Sequence, residues 1–386
     1  MHATGIICEY NPLHLGHKKQ LDLIRSRQSA EDRIVCLMSG NFVQRGHPAI
    51  LDKQVRAKAA IDCGADLVLE LPVTAALSSA EGFAAKGVEI LSRLCDSLCF
   101  GAETPDSQVL MTTAQALLSD RFPPALREQL ERGLSFPAAR SAALAQLGFD
   151  AAVLEQPNNI LAIEYCKAIL SQNSPLVPMP ILRQGSYHDT APDPENPSAT
   201  AVRRLMLEGN GWLPFVPQPA VAADALHSLH WGEKAMLYRL RTMTDAEFEA
   251  LPYGSEGLWR KLMHACREQN TLEDILTATK SKRYTRTRLD RMVMCAFLGL
   301  TAADMEAPIP YVRVLAFNDK GRELLNRVRE QEFFFNAGQQ LAHPYQAIEN
   351  RCGNLYGLFA QGSETPLRTE NERVYYAKSS SSESEG

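Results

Sequence analysis

The stretch GIICEYNPLHLGH, residues 5–17, decides the fold of this chain. It starts with a short apolar run that predicts a buried strand. The following LGHKKQLDLIRSRQ has helical periodicity, with Leu21 and Ile24 on one face. A strand that passes directly into a helix is a building unit of α/β proteins. Two histidines, His14 and His17, flank Gly16 at the predicted start of this helix.

The same alternation continues over the first hundred residues. Further strands are predicted for RIVCLMSG (33–40), ADLVLELP (65–72) and DSLCFGAE (96–103), and further helices for KQVRAKAAIDCG (53–64) and SAEGFAAKGVEILSRL (79–94). Asp52 is a suitable N-cap for the first of these helices. Near-continuous apolar strands that alternate with helices are typical of parallel sheets buried on both faces. We therefore expect a Rossmann-like, doubly wound parallel sheet of the α/β class.

The length of the chain predicts more than one domain. Its 386 residues exceed the roughly 250–300 at which a single hydrophobic core stops growing. We expect an α/β domain over 1–210, a second, mainly helical domain over 211–377, and a disordered, serine-rich tail over 378–386. The first domain should include a helix over 157–170 and an extended segment over 175–185. In the second domain, residues 309–321 are predicted to be extended.

Composition limits the classes of protein to which the chain can belong. The formal net charge of −5 gives no overall attraction to nucleic acid or anionic lipid, so any such binding requires a local basic patch. The N-terminus has no signal-peptide pattern, and no apolar run is long enough to span a bilayer. We expect a cytoplasmic protein without membrane association. Its nine cysteines are scattered, and Cys95 and Cys99 are predicted to be buried thiols rather than a metal or redox pair.

The turn NPLHLGH is the first candidate site. In open parallel sheets, ligands bind beyond the carboxyl ends of the strands, and a helix N-terminus there offers free N–H groups to a phosphate. Gly16 allows a ligand to approach the backbone closely. His14 and His17 can both donate hydrogen bonds to a phosphoryl group during transfer. The alternative is that the two histidines only cap and pack an ordinary turn.

A second candidate phosphate site is PSATAVR, residues 197–203. A helix is predicted to start at Ser198 or Thr200, and hydroxyl and N–H groups at that start would resemble the first site. Arg203 follows one turn later and can bind phosphate through its guanidinium group. The alternative for Arg203 alone is a solvated arginine on a helix.

A basic segment, KSKRYTRTRLDRM, occupies residues 280–292. Its cations can form a patch for a phosphate backbone, and its tyrosine can stack on a base. The residues concerned are Lys280, Lys282, Arg283, Tyr284, Arg286, Arg288 and Arg291. The alternative is a solvated helix face. Gln44 and Arg45, after the second strand, are weaker candidates for contact with pyrophosphate or RNA.

The two phosphate-type turns resemble the two signatures of the nucleotidyltransferase superfamily, H-x-G-H and I-S-S-T-x-x-R, whose members form adenylates from ATP. The second match has Ala199 in place of a serine. A longer set of segments, in the same order, resembles the tRNA(Met) cytidine acetate ligase family over residues 1–300. The segments are EYNPLHLGH, MSGNFVQRGHPAILDKQVRAKAAIDCGADLVLELP, CFGAE, PNNILAIEY, YHD, SATAVR and KRYTRTRLDRM.

This resemblance implies an enzyme that activates acetate with ATP and acetylates N4 of the wobble cytidine in elongator tRNA(Met). It implies catalytic roles for His14, His17 and Arg203, Mg²⁺ bound with the triphosphate, and tRNA binding by the basic segment. No carboxylate cluster in the sequence marks a metal site built by the protein, so we expect none. The implied ATP site comprises Ile7, Cys8, Glu9, Tyr10, Asn11, Pro12, Leu13, His14, Leu15, Gly16, His17, Lys18, Lys19, Gln20, Gly101, Asn158 or Asn159, Arg183, Ser198, Thr200 and Arg203.

Some residues depart from the family pattern. The match around Arg183 is imperfect, and Leu13 replaces a more common aromatic residue. Two other functions stay open. One is a nucleotidylyltransferase acting on a small-molecule phosphate, which would need neither the second domain nor the basic segment. The other is a non-catalytic RNA-binding protein that has a nucleotide-binding fold.

Overall fold

The computed structural model describes residues 1–183, 193, 196–218, 225–281, 283–362 and 373–378. Lys282 and residues 379–386 of the predicted tail lie outside the described residues, as do His188 and Asp189 of the YHD segment.

The strands are short and mostly buried. They are β1 (Ala3–Cys8), β2 (Arg33–Ser39), β3 (Phe42–Val43), β4 (His47–Pro48), β5 (Leu67–Leu71), β6 (Ser97–Ala102), β7 (Val177–Leu182), β8 (Val312–Asn318), β9 (Phe334–Asn336) and β10 (Tyr375–Ala377). Strands β3 and β4 form a separate antiparallel hairpin. The other eight strands in the described part of the chain form one sheet.

The helices surround this sheet and continue beyond it. The first nine are α1 (Leu15–Arg27), α2 (Lys53–Asp62), α3 (Val73–Ala76), α4 (Ala80–Leu91), α5 (Ser107–Leu118), α6 (Phe122–Glu131), α7 (Phe136–Gln146), α8 (Pro157–Ser171) and α9 (Ala199–Glu208). The later ones are α10 (Leu229–Thr242), α11 (Asp245–Glu249), α12 (Leu258–Glu268), α13 (Leu272–Thr279), α14 (Arg286–Leu298), α15 (Ala302–Glu306), α16 (Asp319–Arg327) and α17 (Tyr345–Tyr356).

The central strand order is β5-β2-β1-β6-β7, and all of these strands are parallel. The order reverses between β1 and β6, so the topological switch point lies at their carboxyl ends. The predicted doubly wound α/β fold is confirmed. Asp52 caps α2 by accepting a hydrogen bond from the N–H of Gln54, as predicted.

The sheet also contains an antiparallel strand pair that the sequence did not predict. Strand β8 pairs antiparallel with β5, and β9 and β10 pair with the other edge of β8. Because β8 is apolar and largely buried, it covers the edge that β5 would otherwise expose. The sheet therefore includes strands from both sides of the predicted domain boundary near residue 210, and that boundary stays a prediction.

Three apolar clusters hold the molecule together. On one face of the sheet, Val35 and Leu37 pack with α4 and α8. On the other, Ile34 and Cys36 pack with α1, α2 and α9. This alternation follows from the period of two along β2. A third cluster lies among the helices α10–α14 and α17, in the region predicted to be mainly helical.

The nine cysteines are free thiols, and all except Cys8 are buried. Cys95 and Cys99 belong to clusters on opposite faces of the sheet.

In the described residues, no helix combines the length and the apolar character that crossing a bilayer requires.

Candidate active site

A cavity of about 850 Å³ lies at the carboxyl ends of β1, β6 and β7. The loop before α1 and the start of α9 both contribute to its wall, together with the β3–β4 hairpin. Its position at the reversal of strand order is where ligands bind in open α/β sheets. Its volume is within the range of ordinary ligand cavities.

The loop between β1 and α1 is held in place by buried polar contacts. Tyr10 has a left-handed backbone with φ of 43°, and its buried side chain packs beneath the loop. The Asn11 side chain accepts a hydrogen bond from the N–H of Ile50 at 2.7 Å. Arg56 on α2 donates to the backbone carbonyls of Glu9 and Ser39 at 2.7 and 3.0 Å. Arg56 therefore fixes the ends of β1 and β2, a role that the sequence reading missed.

His14 and His17 form a stacked pair at the start of α1, with ring centroids 3.7 Å apart. The Gly16 N–H donates to Nδ1 of His14 at 3.1 Å, and the His14 N–H donates to Nδ1 of His17 at 3.3 Å. Both rings thus accept at Nδ1, which leaves Nε2–H as the donor of each neutral imidazole. The histidines do cap the helix, and they also line the cavity.

Both imidazoles are neutral near pH 7. Burial, with the positive charges of Arg183 and Arg203, lowers the pKa of His14 to about 3. Burial and the proximity of His14 also lower the pKa of His17 well below its ordinary value. The pair therefore offers uncharged hydrogen-bond donors in a cavity whose positive charge comes from arginines.

The start of α9 lies against the loop after β1. The Ser198 hydroxyl caps α9 by accepting from the N–H of Ala201 at 3.2 Å, which decides between the two predicted start positions. Arg203 donates to the backbone carbonyl of Asn11 at 2.6 Å and to the Thr200 hydroxyl at 3.1 Å. Burial lowers the pKa of Arg203. The structure thus joins the two predicted phosphate turns directly.

Arg183 and the start of α8 complete another side of the cavity. Arg183 donates to the side-chain oxygen of Asn158 at 2.6 Å, and the Asn158 amide donates to Glu103 at 2.6 Å. Asn159 lies behind the wall, where its side-chain amide is bonded to Thr104 and its backbone N–H to Glu103. Of the two asparagines, Asn158 lines the cavity. Glu103 is a positioning residue that the sequence reading missed, although it ends the CFGAE segment.

Most of the predicted ATP-binding residues line this one cavity. They are Ile7, Cys8, Glu9, Tyr10, Asn11, His14, Gly16, His17, Lys19, Gln20, Gly101, Asn158, Arg183, Ser198, Thr200 and Arg203. Five others do not line it, namely Pro12, Leu13, Leu15, Lys18 and Asn159. Leu13 is buried in the core below α1, and Lys18 forms an ion pair with Asp22 on the helix surface.

The β3–β4 hairpin connects the cavity to the basic segment. Gln44, Arg45 and His47 line the cavity, and the N–H of Gln44 donates to the Glu9 carboxylate at 2.9 Å. On its other side, the backbone of Gly46 lies against residues 290–291 at the start of α14. Burial lowers the pKa of His47, a cavity residue that the sequence reading missed.

Several cations of the basic segment are already paired with carboxylates, so fewer are available to bind RNA than the sequence predicts. Lys280 and Arg283 are exposed, but Arg283 pairs with Glu256 at 3.2 Å. Arg286 is held by Glu273 at 2.6 Å and by Asp290 at 2.9 Å.

Two further arginines of the segment point inward. Arg288 donates to the backbone carbonyl of Tyr253 at 2.7 Å, and its guanidinium lies 4.9 Å from the ring of Tyr284. Arg291 is buried, with its guanidinium 5.1 Å from the Tyr253 ring, so direct contact with RNA is not available to it in this conformation. The prediction that Arg291 binds tRNA is therefore not supported by its position.

Within the described residues, no group of three histidine, cysteine or carboxylate side chains could hold a metal ion. A metal ion bound with a nucleotide would depend mainly on phosphate oxygens and water for its ligands.

Comparisons with known proteins agree with this geometry. The HIGH Nucleotidyl Transferase family matches residues 1–371. The tRNA(Met) cytidine acetate ligase of Clostridium novyi is 36% identical in an alignment of 360 positions, gaps included, that covers 86% of this chain and 88% of that protein. The enzyme of the same name from Anoxybacillus flavithermus is 35% identical in an alignment of 379 positions, gaps included, that covers 92% of this chain and 94% of that protein.

Solved structures give the same result. Apo TmcAL from Thermotoga maritima superposes with a TM-score of 0.88 at 27% sequence identity, covering 98% of this chain and 100% of that one. The same protein bound with alpha-thio ATP gives a TM-score of 0.86 at the same identity and coverage. These sequence matches cover most of the chain, and they show that it belongs to the tRNA(Met) cytidine acetate ligase family of HIGH nucleotidyltransferases.

Proposed function

We propose that this protein is an ATP-dependent acetate ligase that acetylates N4 of the wobble cytidine in elongator tRNA(Met). The observation that carries the proposal is the hydrogen bond from Arg203 to the carbonyl of Asn11. It joins two helix starts of the phosphate-binding type at one cavity. The relatives described above are named tRNA(Met) cytidine acetate ligases, and one solved structure is of TmcAL bound with alpha-thio ATP.

In the first step, an acetate oxygen attacks the α-phosphorus of ATP, and pyrophosphate leaves with the electrons of the broken P–O bond. The product is acetyl-AMP. Negative charge increases on the transferring phosphoryl group and on pyrophosphate, where preorganised donors contribute most. His14 and His17 would donate from Nε2, and Arg203 would supply positive charge. Their positions at fixed helix starts reduce the reorganisation needed in the transition state.

Mg²⁺ would enter with the nucleotide and neutralise part of the triphosphate charge. The protein's own contribution to phosphate binding would come from the arginines, from the Nε2–H groups of the two histidines, and from those N–H groups at the starts of α1 and α9 that do not already donate within the helix caps. Asn158 and Arg183, linked at 2.6 Å, would bind another part of the nucleotide near Gly101.

In the second step, the cytidine N4 amine attacks the acetyl carbon, AMP leaves with the electrons of the broken acyl C–O bond, and the amine releases one proton to solvent. The wobble base of an anticodon loop can be unstacked and presented to the cavity. Lys280, Arg283 and Tyr284 are our candidates for contact with the tRNA. In support, the hairpin that lines the cavity contacts residues 290–291, in the later part of the same segment. We place the reaction in the cytoplasm, where the tRNA substrate is found.

The direct test uses purified protein with labelled acetate, ATP and total tRNA, followed by nuclease digestion and identification of the labelled nucleoside. We expect label in N4-acetylcytidine. A nucleotidylyltransferase acting on a small-molecule phosphate would leave the RNA unlabelled. A non-catalytic RNA-binding protein would show no acetate-dependent use of ATP, and His17→Ala would change nothing. Absence of label from the RNA contradicts the proposal.

A further inference from the structure

Part of the cavity is lined by apolar side chains that the phosphate site does not use. We call this part the apolar slot and define it by Ala80, Phe83, Phe100, Leu161 and Tyr165. The rings of Phe83, Phe100 and Tyr165 are only 3%, 6% and 3% exposed, so the slot is deep. It has the character of a site for a small apolar group.

The slot is built from three rigid elements. Ala80 and Phe83 are three residues apart on α4, and Leu161 and Tyr165 are four apart on α8, so each pair occupies one helix face. Phe100 of β6 lies between these helices, with its ring centroid 5.4 Å from that of Tyr165. Side chains on helices and strands are held in a more fixed geometry than side chains on loops, so they position a ligand with less variation.

The Tyr165 hydroxyl is the polar group of the slot. Among the residues that the structure describes, none is hydrogen-bonded to it, and the oxygen is not sealed from the cavity. Buried hydroxyl groups are normally paired, so a hydroxyl left open at a cavity wall indicates a ligand. Burial raises the pKa of Tyr165, which keeps the group protonated and able to donate at neutral pH.

The slot adjoins the phosphate-binding side of the cavity. Phe100 directly precedes Gly101 on β6, and Leu161 lies one helical turn after Asn158 on α8, so the slot shares two elements with the wall that contains Gly101 and Asn158. Glu9 lines the same cavity. The Glu9 carboxylate accepts the N–H of Gln44. A small carboxylate in the slot would therefore share one cavity with Arg183 and Arg203, whose positive charges can offset the charge of Glu9.

We propose that the apolar slot is the acyl subsite of the enzyme, where the Tyr165 hydroxyl donates a hydrogen bond to the carboxylate of acetate while Phe83, Phe100 and Leu161 enclose the methyl group. This inference rests on the proposed function. The acetate oxygen attacks the α-phosphorus, pyrophosphate leaves with the bonding electrons, and Tyr165 keeps its proton throughout. The apolar walls also exclude water from the acetyl-AMP product and limit the length of the acyl chain.

The first test measures acetate-dependent exchange of pyrophosphate into ATP, which needs no tRNA. We expect Tyr165→Phe to raise the KM for acetate roughly tenfold or more, because one hydrogen bond to a charged group is lost. The affinity for ATP, measured separately by calorimetry, should stay within twofold. The matched control is Tyr345→Phe, which removes a hydroxyl from another buried tyrosine outside the cavity and should leave the KM unchanged.

The second test changes the size of the slot. Leu161→Ala, or the milder Leu161→Val if the first variant folds poorly, should increase the use of propionate and butyrate relative to acetate by roughly tenfold per added methylene.

Three outcomes would overturn the inference. One is a KM for acetate within twofold of wild type in Tyr165→Phe, together with unchanged chain-length preference in the Leu161 variants. Another is an effect of Tyr165→Phe only on the KM for tRNA, which would assign the slot to the cytosine ring. The third is an absence of acetate-dependent exchange in the wild-type protein, which would contradict the proposed function itself and the subsite with it.

Discussion

At the scale of single residues, the stacked imidazoles at the start of α1 show how a helix cap can also serve a ligand. Each ring accepts a backbone N–H at Nδ1, which fixes its orientation and its tautomer. The same contacts bury the rings, so the pKa of His14 falls to about 3. The imidazoles are thereby kept as neutral donors, and the protein gives up some stability at acidic pH.

That cost can be measured in the ligand-free protein. Between about pH 6.5 and 3 the unfolded chain binds a proton at His14 that the folded chain does not, since folding lowers this pKa. Stability should therefore fall with falling pH in this window, by at most about 1.4 kcal/mol per pH unit from this group. We expect His14→Gln to flatten the dependence. Urea unfolding of both proteins at pH 8, 7, 6 and 5 gives the free energy of unfolding at each pH. The difference between the two proteins at pH 8, where His14 is neutral in both states, corrects for altered packing. Parallel curves for the two proteins contradict the assignment.

We expect Arg203 to contribute to ATP affinity both through its charge and through the hydrogen bonds of its guanidinium group. Arg203→Ala removes a cation and also the bonds to Asn11 and Thr200, so we expect the affinity for ATP to fall by about tenfold to a hundredfold. Arg203→Lys should recover little, because lysine lacks the planar pair of donors. Calorimetric titration with a non-hydrolysable ATP analogue gives the affinity. The matched control is Arg204→Ala on the exposed side of α9, and an equal loss there would contradict the role of Arg203.

At the scale of elements, the basic segment separates into exposed and structural arginines. Arg283→Ala should weaken tRNA binding and reduce its salt dependence by about one unit of slope, because one phosphate contact is lost. Arg291→Ala should instead lower the melting temperature, because Arg291 is buried against Tyr253. Filter binding across a range of salt concentrations, with thermal unfolding of both variants, distinguishes the two effects. Equal losses of tRNA affinity in the two stably folded variants would contradict this division.

The β3–β4 hairpin depends on a close backbone contact. Gly46 has φ of +81°, and a Cβ there would lie 2.5 Å from the backbone nitrogen of Arg291. We expect Gly46→Ala to cost about 1–3 kcal/mol of stability and to reduce tRNA acetylation more than pyrophosphate exchange. Gly64→Ala is the control, because its φ is also positive at +113° but no atom lies within 4 Å of the added Cβ. Equal effects of the two substitutions would show that the contact with α14 is unimportant.

Helices and strands could be predicted from the sequence where the periodicity and capping residues of the segment itself determine them. The strand at 33–39 and the helix at 53–62 have periodicity and caps that can be read from neighbouring residues. The site was predictable for a related reason, since the HLGH turn and PSATAVR are both helix starts of a recognised type. The sequence does not predict the roles of three other residues, because those roles depend on contacts that form only in the folded chain. These residues are Arg56, Glu103 and Tyr165. The same holds for β8, whose sequence predicts an extended segment but contains no information about its antiparallel pairing with β5.

At the scale of the whole molecule, the shared sheet makes the two parts of the chain depend on each other. A fragment of residues 1–210 would lack β8 and would expose the edge of β5 together with apolar side chains that pack there. We expect it to aggregate or to unfold without cooperativity. Size-exclusion chromatography and circular dichroism of the fragment, beside the full chain, test this. A monomeric fragment that melts cooperatively and binds ATP would instead support an independent domain over 1–210.

The late position of β8 in the sequence also affects how the enzyme is made. During translation, the histidine turn leaves the ribosome early, but β8, which covers the β5 edge of the parallel strands, emerges only after residue 318. Nascent chains should therefore acquire the ability to bind nucleotide late. Chains released prematurely would be inactive and open to proteolysis, so incomplete copies would not consume ATP.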